Sequence, residues 1–388
     1  MTQPAADRAS EFSPDAGAVW KTFDAGALVN RALSALRAYD PGHDLPSLRK
    51  RFGAAIAELG SNENPLGPSP LALDAMRKSL AETFRYPDPR GLSLKTALSA
   101  HLGVGVDRIA LGNGSHELLI LLAQCFADAE HSIVFSQFGF AVFPIATAAA
   151  GAIAVRVPAF SPEHASAPYG HDLDAIAASV RDDTRLVYLA NPNNPTGTWF
   201  DDAAFDRFID RVPGNVLVVV DEAYSEYVDA HRLSSALRLG DRHPNLIVTR
   251  TFSKAYGLAG LRVGYLVAHP SVVEVVERLR ESFNVNNVAL AAAEAALGDA
   301  AHLAKAREFN RAERNWLGAA LAERGYRVLP SQTNFVLVDL GRDAASLERH
   351  LFERGVIVRP MGGYGLAQTL RISVGSRAEN QRLLDALP

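Results

Sequence analysis

Short apolar runs alternate with helical stretches between about residue 62 and residue 268. The runs lie at residues 132–135, 152–157, 186–189, 216–220, 246–249 and 263–267. Runs such as 216–220 are apolar at every position, which is typical of strands buried on both faces of a parallel sheet. The pattern therefore predicts an α/β fold, with a mostly parallel central sheet flanked by helices.

The two ends of the chain show different patterns. Residues 272–280 and 289–324 are helical in pattern, and strand-like runs follow at 335–339, 356–358 and 370–374. This order predicts a smaller α+β domain. Near the N-terminus, apolar residues recur at helical spacing and predict a short helix over residues 27–39, after a loose leader. We expect a leader and arm at 1–61 that packs with the small domain, a large domain at 62–270 that holds the central sheet, and a small C-terminal domain at 271–388.

Composition narrows the class of protein. The 388 residues are enough for two or three domains, and 48% of them are hydrophobic. The net charge of −4 offers no polycationic surface to nucleic acid. A single cysteine, Cys125, excludes an intrachain disulfide and a cysteine-rich zinc site. No secretory signal and no apolar stretch of about 20 residues is present, so we expect a soluble, cytoplasmic protein.

The strongest chemical signal is the lysine of the sequence Thr-Phe-Ser-Lys, which ends at Lys254 and directly follows the run 246–249. A lysine at the carboxyl end of a parallel strand lies where such sheets bind ligands, and burial lowers its pKa so that it can attack an aldehyde. Arg262 follows within reach of the same pocket, and with Ser253 it can clamp a phosphate.

The run 216–220 leads directly into Asp221, and Tyr224 follows. A carboxylate at the end of a buried strand needs a cationic partner, and a protonated pyridine nitrogen is one. The bare pattern of a strand followed by an acid more often marks a helix N-cap or a metal ligand.

Two loops complete the set of motifs. Asn194 lies in a loop with three asparagines and two prolines after the run 186–189, and its amide can orient a planar ligand. Residues 112–117, with Ser115 among them, open an apolar helix whose N–H groups favour a phosphate dianion. Alone, each loop also fits a purely structural turn or helix cap.

In this order and spacing, the four stretches resemble fold-type I pyridoxal-phosphate enzymes of the aspartate aminotransferase superfamily. Further stretches at residues 61–70, 86–89, 329–335, 358–361 and 370–375 look like those of the histidinol-phosphate aminotransferase family. The resemblance extends from about Tyr39 to the C-terminus. It implies pyridoxal 5′-phosphate as cofactor, no metal ion, and a homodimer with shared active sites.

The resemblance also implies roles for individual residues. Lys254 would carry the cofactor and act as base and acid in proton transfer between the substrate Cα and C4′ of the cofactor. Asp221 would pair with the pyridine nitrogen, and Tyr224 and Asn194 would bind the ring hydroxyl oxygen. The full set of implied cofactor contacts is Ser115, His116, Phe138, Asn194, Asp221, Tyr224, Ser253, Lys254, Arg262 and, from the neighbouring subunit, Tyr86.

Phe138 matches a position whose ring stacks on the cofactor, although an aromatic residue there is otherwise a core phenylalanine. Arg371 would bind the carboxylate of glutamate or 2-oxoglutarate. Tyr39 and Arg359 would help to recognise the other substrate, including a phosphate group. One departure is His116, which stands where the family usually has an acidic residue. This difference leaves the identity of the substrate undecided at this point.

The implied reaction is transamination of L-histidinol phosphate with 2-oxoglutarate. An aromatic amino-acid aminotransferase is the nearest alternative, because imidazole and phenyl rings need similar flat pockets. A phosphothreonine-type decarboxylase shares the architecture and is a second alternative. A transcription regulator on this fold would need a DNA-binding module, and residues 1–60 lack the basic helix pair expected for one.

Overall fold

The computed structural model describes residues 25–34, 36, 45–53, 56–229 and 231–388. Its α-helices are α1 (Leu45–Phe52), α2 (Pro70–Ser79), α3 (Leu92–Leu102), α4 (Gly114–Phe126), α5 (Val142–Ala149), α6 (Leu173–Ala178), α7 (Asp202–Ile209), α8 (Pro270–Leu279), α9 (Asn287–Gly298), α10 (Ala300–Glu323), α11 (Ala345–Glu353) and α12 (Arg377–Ala386). Its strands are β1 (Ala57–Glu58), β2 (Ile109–Gly112), β3 (Ser132–Ser136), β4 (Ile153–Val157), β5 (Thr184–Ala190), β6 (Leu217–Asp221), β7 (Leu246–Thr251), β8 (Gly264–Val267), β9 (Arg327–Val328), β10 (Phe335–Asp339), β11 (Val356–Ile357), β12 (Arg359–Met361) and β13 (Leu366–Ser373).

The central sheet has seven strands in the order β2-β8-β7-β6-β5-β3-β4. Strand β8 runs antiparallel to both of its neighbours, and the other pairs are parallel. Successive side chains of β6 are buried in two different hydrophobic cores. Val219 lies in one core, and Val218 and Val220 lie in the other. Helices therefore cover both faces of β6, which is why its sequence is apolar at every position. The predicted mostly parallel sheet is confirmed.

A second group of strands lies in the C-terminal part. Strands β12, β13, β10 and β9 form an antiparallel sheet in that order. Strand β1, from before residue 62, pairs in parallel with β11. Leu59, next to β1, shares a buried core with Leu317 of α10 and Leu383 of α12. Residues 57–59 thus pack with the C-terminal segment, and the proposed packing of the whole arm with the small domain stays a prediction.

The arm and the long C-terminal helical stretch differ in detail from the prediction. In place of one helix over 27–39, the described residues form two 3₁₀ helices, Ala25–Leu28 and Arg31–Leu33. The Asn30 side chain accepts a hydrogen bond from the backbone N–H of Ala32 and so competes with helical bonding. The stretch 289–324 is two helices, because Asp299 leaves helical geometry and caps α10 with its side chain.

None of the helices in the described ranges is long and apolar enough to cross a membrane.

Candidate active site

The carboxyl ends of β5, β6 and β7 border a cavity of about 270 Å³, and two arginines of the C-terminal sheet also line it. Ligands of open parallel sheets bind at this edge, because the loops that follow neighbouring strands meet there. The cavity is lined by most of the residues predicted from sequence, namely Ser115, His116, Asn194, Asp221, Tyr224, Ser253, Lys254, Arg262, Arg359 and Arg371.

Lys254 follows the end of β7 and reaches into the cavity. Its Nζ lies 3.4 Å from the carbonyl oxygen of Ser61 and 5.8 Å from the centroid of the Tyr224 ring. Burial, and then the positive charge of Arg371, lower the pKa of Lys254 to about 8. The lowered pKa enlarges the neutral fraction of the amine, which is the form that attacks an aldehyde.

Asp221 is the last residue of β6 and is buried. The hydroxyl of Thr249, its register partner in β7, donates a hydrogen bond of 3.0 Å to Asp221 Oδ1. Burial raises the pKa of Asp221 to about 7, and the Thr249 hydrogen bond opposes part of that rise. A cation placed against this carboxylate favours its ionised form.

The phosphate-clamp residues converge at the first turn of α4. Arg262 adopts the left-handed conformation, with φ of 54°, and donates from Nη1 to Ser253 Oγ at 3.2 Å. Its Nη2 donates to the carbonyl oxygen of Asn113 at 3.4 Å. The Thr251 hydroxyl donates to Ser253 Oγ at 2.9 Å and so helps to hold the Ser253 side chain in place. Ser115 lies within the first helical turn, where backbone N–H groups are unpaired and favour an anion.

Arg371 is a buried cation, joined to the loop of Asn194. It donates from Nη1 to Asn194 Oδ1 at 2.7 Å and from Nη2 to the carbonyl oxygen of Gly60 at 2.6 Å. Its Nε is buried and has no hydrogen-bond partner among the described residues. A buried guanidinium with an unused donor accommodates a carboxylate of a bound molecule.

His116 lines the cavity beside Ser115, at the N-terminus of α4. Burial, and then the positive charge of Arg262, lower the pKa of its imidazole. The ring is therefore neutral at pH 7, so it adds neither the negative charge of the residue usual at this position nor a positive one.

The two aromatic rings after β3 differ in position. Phe138 is buried in a hydrophobic cluster beside the cavity and meets Tyr169 edge-on at 5.6 Å between centroids. It is not among the residues that line the cavity, whereas Phe140 is. This packing matches the core phenylalanine that the sequence offered as the alternative for Phe138. The stacking role of Phe138 therefore stays a prediction.

The other predicted residues lie apart from the cavity or outside the described residues. Tyr86 is 82% exposed and stacks on Phe283 at 4.8 Å between ring centroids, so it does not reach the cavity of its own chain. Tyr39 lies outside the described residues.

Sequence reasoning missed two buried residues that contact the site. Asn62 donates from Nδ2 to the hydroxyl oxygen of Tyr224 at 3.0 Å, and Thr249 holds Asp221. Asn62 lies in a stretch that carried the resemblance, but spacing gave no sign that it contacts Tyr224. The sequence could have indicated a contact for Thr249, because a polar residue in a buried apolar strand needs a hydrogen-bond partner.

Comparisons with known proteins agree on one family. The family described as aminotransferase class I and II matches residues 55–387. Histidinol-phosphate aminotransferase 2 of Pseudomonas fluorescens is 48% identical over 364 residues, which cover 93% of this chain and 96% of that protein. Histidinol-phosphate aminotransferase 2 of Pseudomonas aeruginosa is 47% identical over 369 residues, which cover 93% and 97%.

Solved structures lead to the same family. The crystal structure of histidinol-phosphate aminotransferase from Sinorhizobium meliloti, in complex with pyridoxal-5′-phosphate, superimposes with a TM-score of 0.84 at 35% identity and covers 93% of this chain and 96% of that one. An aspartate aminotransferase mutant of Thermus thermophilus superimposes with a TM-score of 0.80 at 21% identity, covering 92% and 98%, and shows a shared fold. The fold-type I prediction is thereby confirmed.

Proposed function

The chain belongs to the class I and II aminotransferase family, and from this premise we propose that it transfers the amino group of L-histidinol phosphate to 2-oxoglutarate. The products are imidazole-acetol phosphate and glutamate. The chain is a pyridoxal-phosphate-dependent aminotransferase, and we place it in histidine biosynthesis because its relatives are named histidinol-phosphate aminotransferase. The amino acceptor and the roles of individual residues belong to the proposal.

The cavity fits a phosphorylated pyridine. Asp221 is a buried carboxylate whose raised pKa falls when a pyridinium nitrogen lies against it. Gly114 has φ of 77°, a backbone that favours glycine, and its Cα lies close to the Arg262 guanidinium, since an added Cβ would lie 2.8 Å from Nη2. A carboxylate and a guanidinium that line the same cavity suit a ligand with a cationic ring nitrogen and an anionic phosphate.

The chain's own groups divide the chemistry between them. When bound, pyridoxal phosphate supplies an aldehyde carbon and an electron-accepting ring. Lys254 would hold the cofactor at that carbon and, as a free amine, would move a proton between the substrate Cα and C4′ of the cofactor. Asp221 keeps the ring nitrogen protonated, while Tyr224 and Asn194 orient the ring through its hydroxyl oxygen. Ser115, Ser253 and Arg262 anchor the phosphate, so the reactive carbon stays within reach of Lys254.

One observation carries the choice of substrates. Arg359 in β12 is the register partner of Arg371 in β13, and both side chains line the cavity. Two guanidinium groups on neighbouring strands suit substrates with an anionic end away from the reacting carbon. We assign the carboxylate of 2-oxoglutarate to Arg371 and the phosphate of histidinol phosphate to Arg359.

The proposed working unit is a homodimer. Large apolar side chains are exposed along the stretch from α2 to the start of α3: Leu71, Leu80, Phe84, Tyr86 and Leu92. Tyr86 lies among them and does not line its own cavity, which supports the assignment of its hydroxyl to the cofactor phosphate of a second copy. We place the enzyme in the cytoplasm, as expected for a biosynthetic enzyme with one cysteine.

Half-reactions with single substrates test the proposed function. Purified enzyme loaded with pyridoxal phosphate is mixed with L-histidinol phosphate, with phenylalanine and with phosphothreonine, and the loss of the cofactor's visible absorbance is followed. We expect the fastest loss with histidinol phosphate. Faster conversion with phenylalanine would favour an aromatic aminotransferase, and release of carbon dioxide from phosphothreonine would favour a decarboxylase.

Arg359→Ala tests the assignment of the phosphate. Loss of one charged hydrogen-bonding partner should raise the KM for histidinol phosphate at least about tenfold. The KM for 2-oxoglutarate should change little, because Arg371 remains. Arg342→Ala, at an exposed loop position of the C-terminal part, serves as the control. Equal losses for both substrates would contradict the assignment.

A further inference from the structure

Asn62 has an unusual backbone for a buried residue. It is 1% exposed and its φ is 56°, in the left-handed region that residues with a Cβ rarely adopt. Its carbonyl oxygen accepts a hydrogen bond of 2.9 Å from Asn334 Nδ2. Such a conformation persists only when surrounding contacts hold it, so the position of the Asn62 side chain is set by its neighbours.

The hydroxyl of Ser373 fixes the orientation of the Asn62 amide. The backbone N–H of Asn62 donates to Ser373 Oγ at 2.8 Å, and Ser373 Oγ donates to Asn62 Oδ1 at 2.9 Å. A flipped amide would place two donors on the same serine oxygen and remove the acceptor of its proton. The amide oxygen therefore faces Ser373, and the amide nitrogen faces the other way.

The nitrogen end of the amide meets the Tyr224 hydroxyl. Asn62 Nδ2 donates to Tyr224 Oη at 3.0 Å, so the phenol oxygen is an acceptor in this contact. Among the described residues, Tyr224 Oη donates to no protein group, and its side chain lines the cavity. The phenolic proton is thus available to an acceptor inside the cavity.

We propose that Ser373 and Asn62 are positioning residues that form a directed hydrogen-bond relay, from Ser373 through Asn62 to Tyr224, and that this relay makes Tyr224 a proton donor to the cofactor's ring oxygen. Each member of the relay has its donor and acceptor roles set by the previous one. An amide that donates to the phenol oxygen strengthens the phenol as a donor, because hydrogen bonds in a chain polarise one another. The inference rests on one part of the proposed function, the binding of pyridoxal phosphate, and does not depend on the choice of substrates.

The relay begins in the C-terminal sheet. Ser373 is the last residue of β13, two residues after Arg371, and its register partner is Phe335 of β10. Asn334, which holds the Asn62 carbonyl, directly precedes β10. The same strand therefore carries the arginine assigned to the substrate carboxylate and the serine that sets the direction of the relay.

Ser373→Ala tests the relay with a readout other than turnover. In the loaded enzyme, the visible absorbance of bound pyridoxal phosphate changes with pH, and the midpoint reports how well the ring oxygen is stabilised as an anion. Weaker donation by Tyr224 should move that midpoint upward by about half to one pH unit. Asn62→Gly keeps the left-handed backbone, removes the amide and should produce a similar shift.

A double-mutant cycle with Tyr224→Phe separates the relay from general damage. If Ser373 acts through Tyr224, Ser373→Ala should shift the midpoint in the wild-type background and not in the Tyr224→Phe background. Equal shifts in both backgrounds would overturn the relay, and so would no shift in either. The melting temperature of each apoenzyme is measured in parallel, and Ser373→Thr, which keeps the hydroxyl, should restore the wild-type midpoint.

The two proposals fail in different ways. A wild-type protein that shows no absorbance from bound cofactor would contradict the cofactor assignment itself. A wild-type protein with a normal pH-dependent spectrum that Ser373→Ala leaves unchanged would contradict only the relay.

Discussion

Lys254 must lose a proton before its amine can attack the cofactor aldehyde. Because burial and Arg371 lower its pKa to about 8, we expect the rate of covalent cofactor attachment to the apoenzyme to rise about tenfold per pH unit below pH 8 and to level off above it. Borohydride trapping followed by mass spectrometry measures the adduct. Lys254→Ala should give no adduct while its circular dichroism stays that of a folded protein. A rate that stays constant below pH 8 would contradict the lowered pKa.

Thr249 acts on the other end of the ring through one hydrogen bond. Thr249→Val keeps the shape of the side chain and removes the donor to Asp221, so the pKa of Asp221 should rise further and its pairing with the ring nitrogen should weaken. We expect the dissociation constant of pyridoxal phosphate to increase about tenfold, measured by fluorescence titration of the apoenzyme. Thr249→Ser keeps the donor and should bind as the wild type does. Unchanged affinity in Thr249→Val would show that Asp221 is held by other contacts.

Helix α4 and strand β8 approach each other at a glycine. A Cβ added to Gly264 would lie 2.7 Å from three backbone atoms, in Arg250, Gly114 and Ser115. Backbone cannot shift as a flexible side chain does, so Gly264→Ala should push the first turn of α4 out of its phosphate-binding position.

We therefore expect Gly264→Ala to lower the free energy of unfolding by about 1–3 kcal/mol and to weaken cofactor binding. Urea denaturation and fluorescence titration check the two effects. Gly260→Ala is the matched control, because a Cβ there meets nothing within 4 Å. Similar losses in both variants would argue against a steric cause at β8.

The packing of helices α8 and α9 indicates where the boundary between the two domains lies. Val276 of α8 packs in the same core as Leu118 of α4, and Ala292 of α9 packs with Leu94 of α3. Helix α8 begins at residue 270 and α9 follows it, yet both bury apolar residues against helices of the large domain. The division at 270 stays a prediction, and this packing favours a boundary near the start of α10 instead.

The exposed apolar surface around Phe84 and Tyr86 predicts how the whole molecule assembles. Phe84 is 73% exposed, and Phe84→Asp should place a charge in the proposed dimer interface and shift the protein toward monomer. Light scattering after size-exclusion chromatography gives the mass. Ile153→Asp, on the edge strand β4 at the opposite end of the sheet, introduces the same charge at a residue 43% exposed and should leave the mass unchanged. A wild-type protein that is monomeric would contradict the shared active site.

The pattern of apolar residues was enough to predict the central sheet and the residues at its carboxyl edge. Strands such as β6 are apolar at every position because helices cover both faces, and that signal is local. The segment 25–33 was harder to predict, because the Asn30 side chain competes with a helical hydrogen bond there. Strand β1 has only two residues and forms through pairing with β11, which lies far along the chain.

By itself, the sequence determined the type of sheet, the positions of Lys254, Asp221, Asn194 and Arg262 at its edge, and the family that they indicate. Only the tertiary structure decided which groups touch. It joins Arg371 to Asn194, Thr249 to Asp221, and Ser373 through Asn62 to Tyr224. The physical reason is that apolar periodicity reports burial along one segment, whereas a hydrogen bond depends on the distance and direction between atoms from segments that folding brings together.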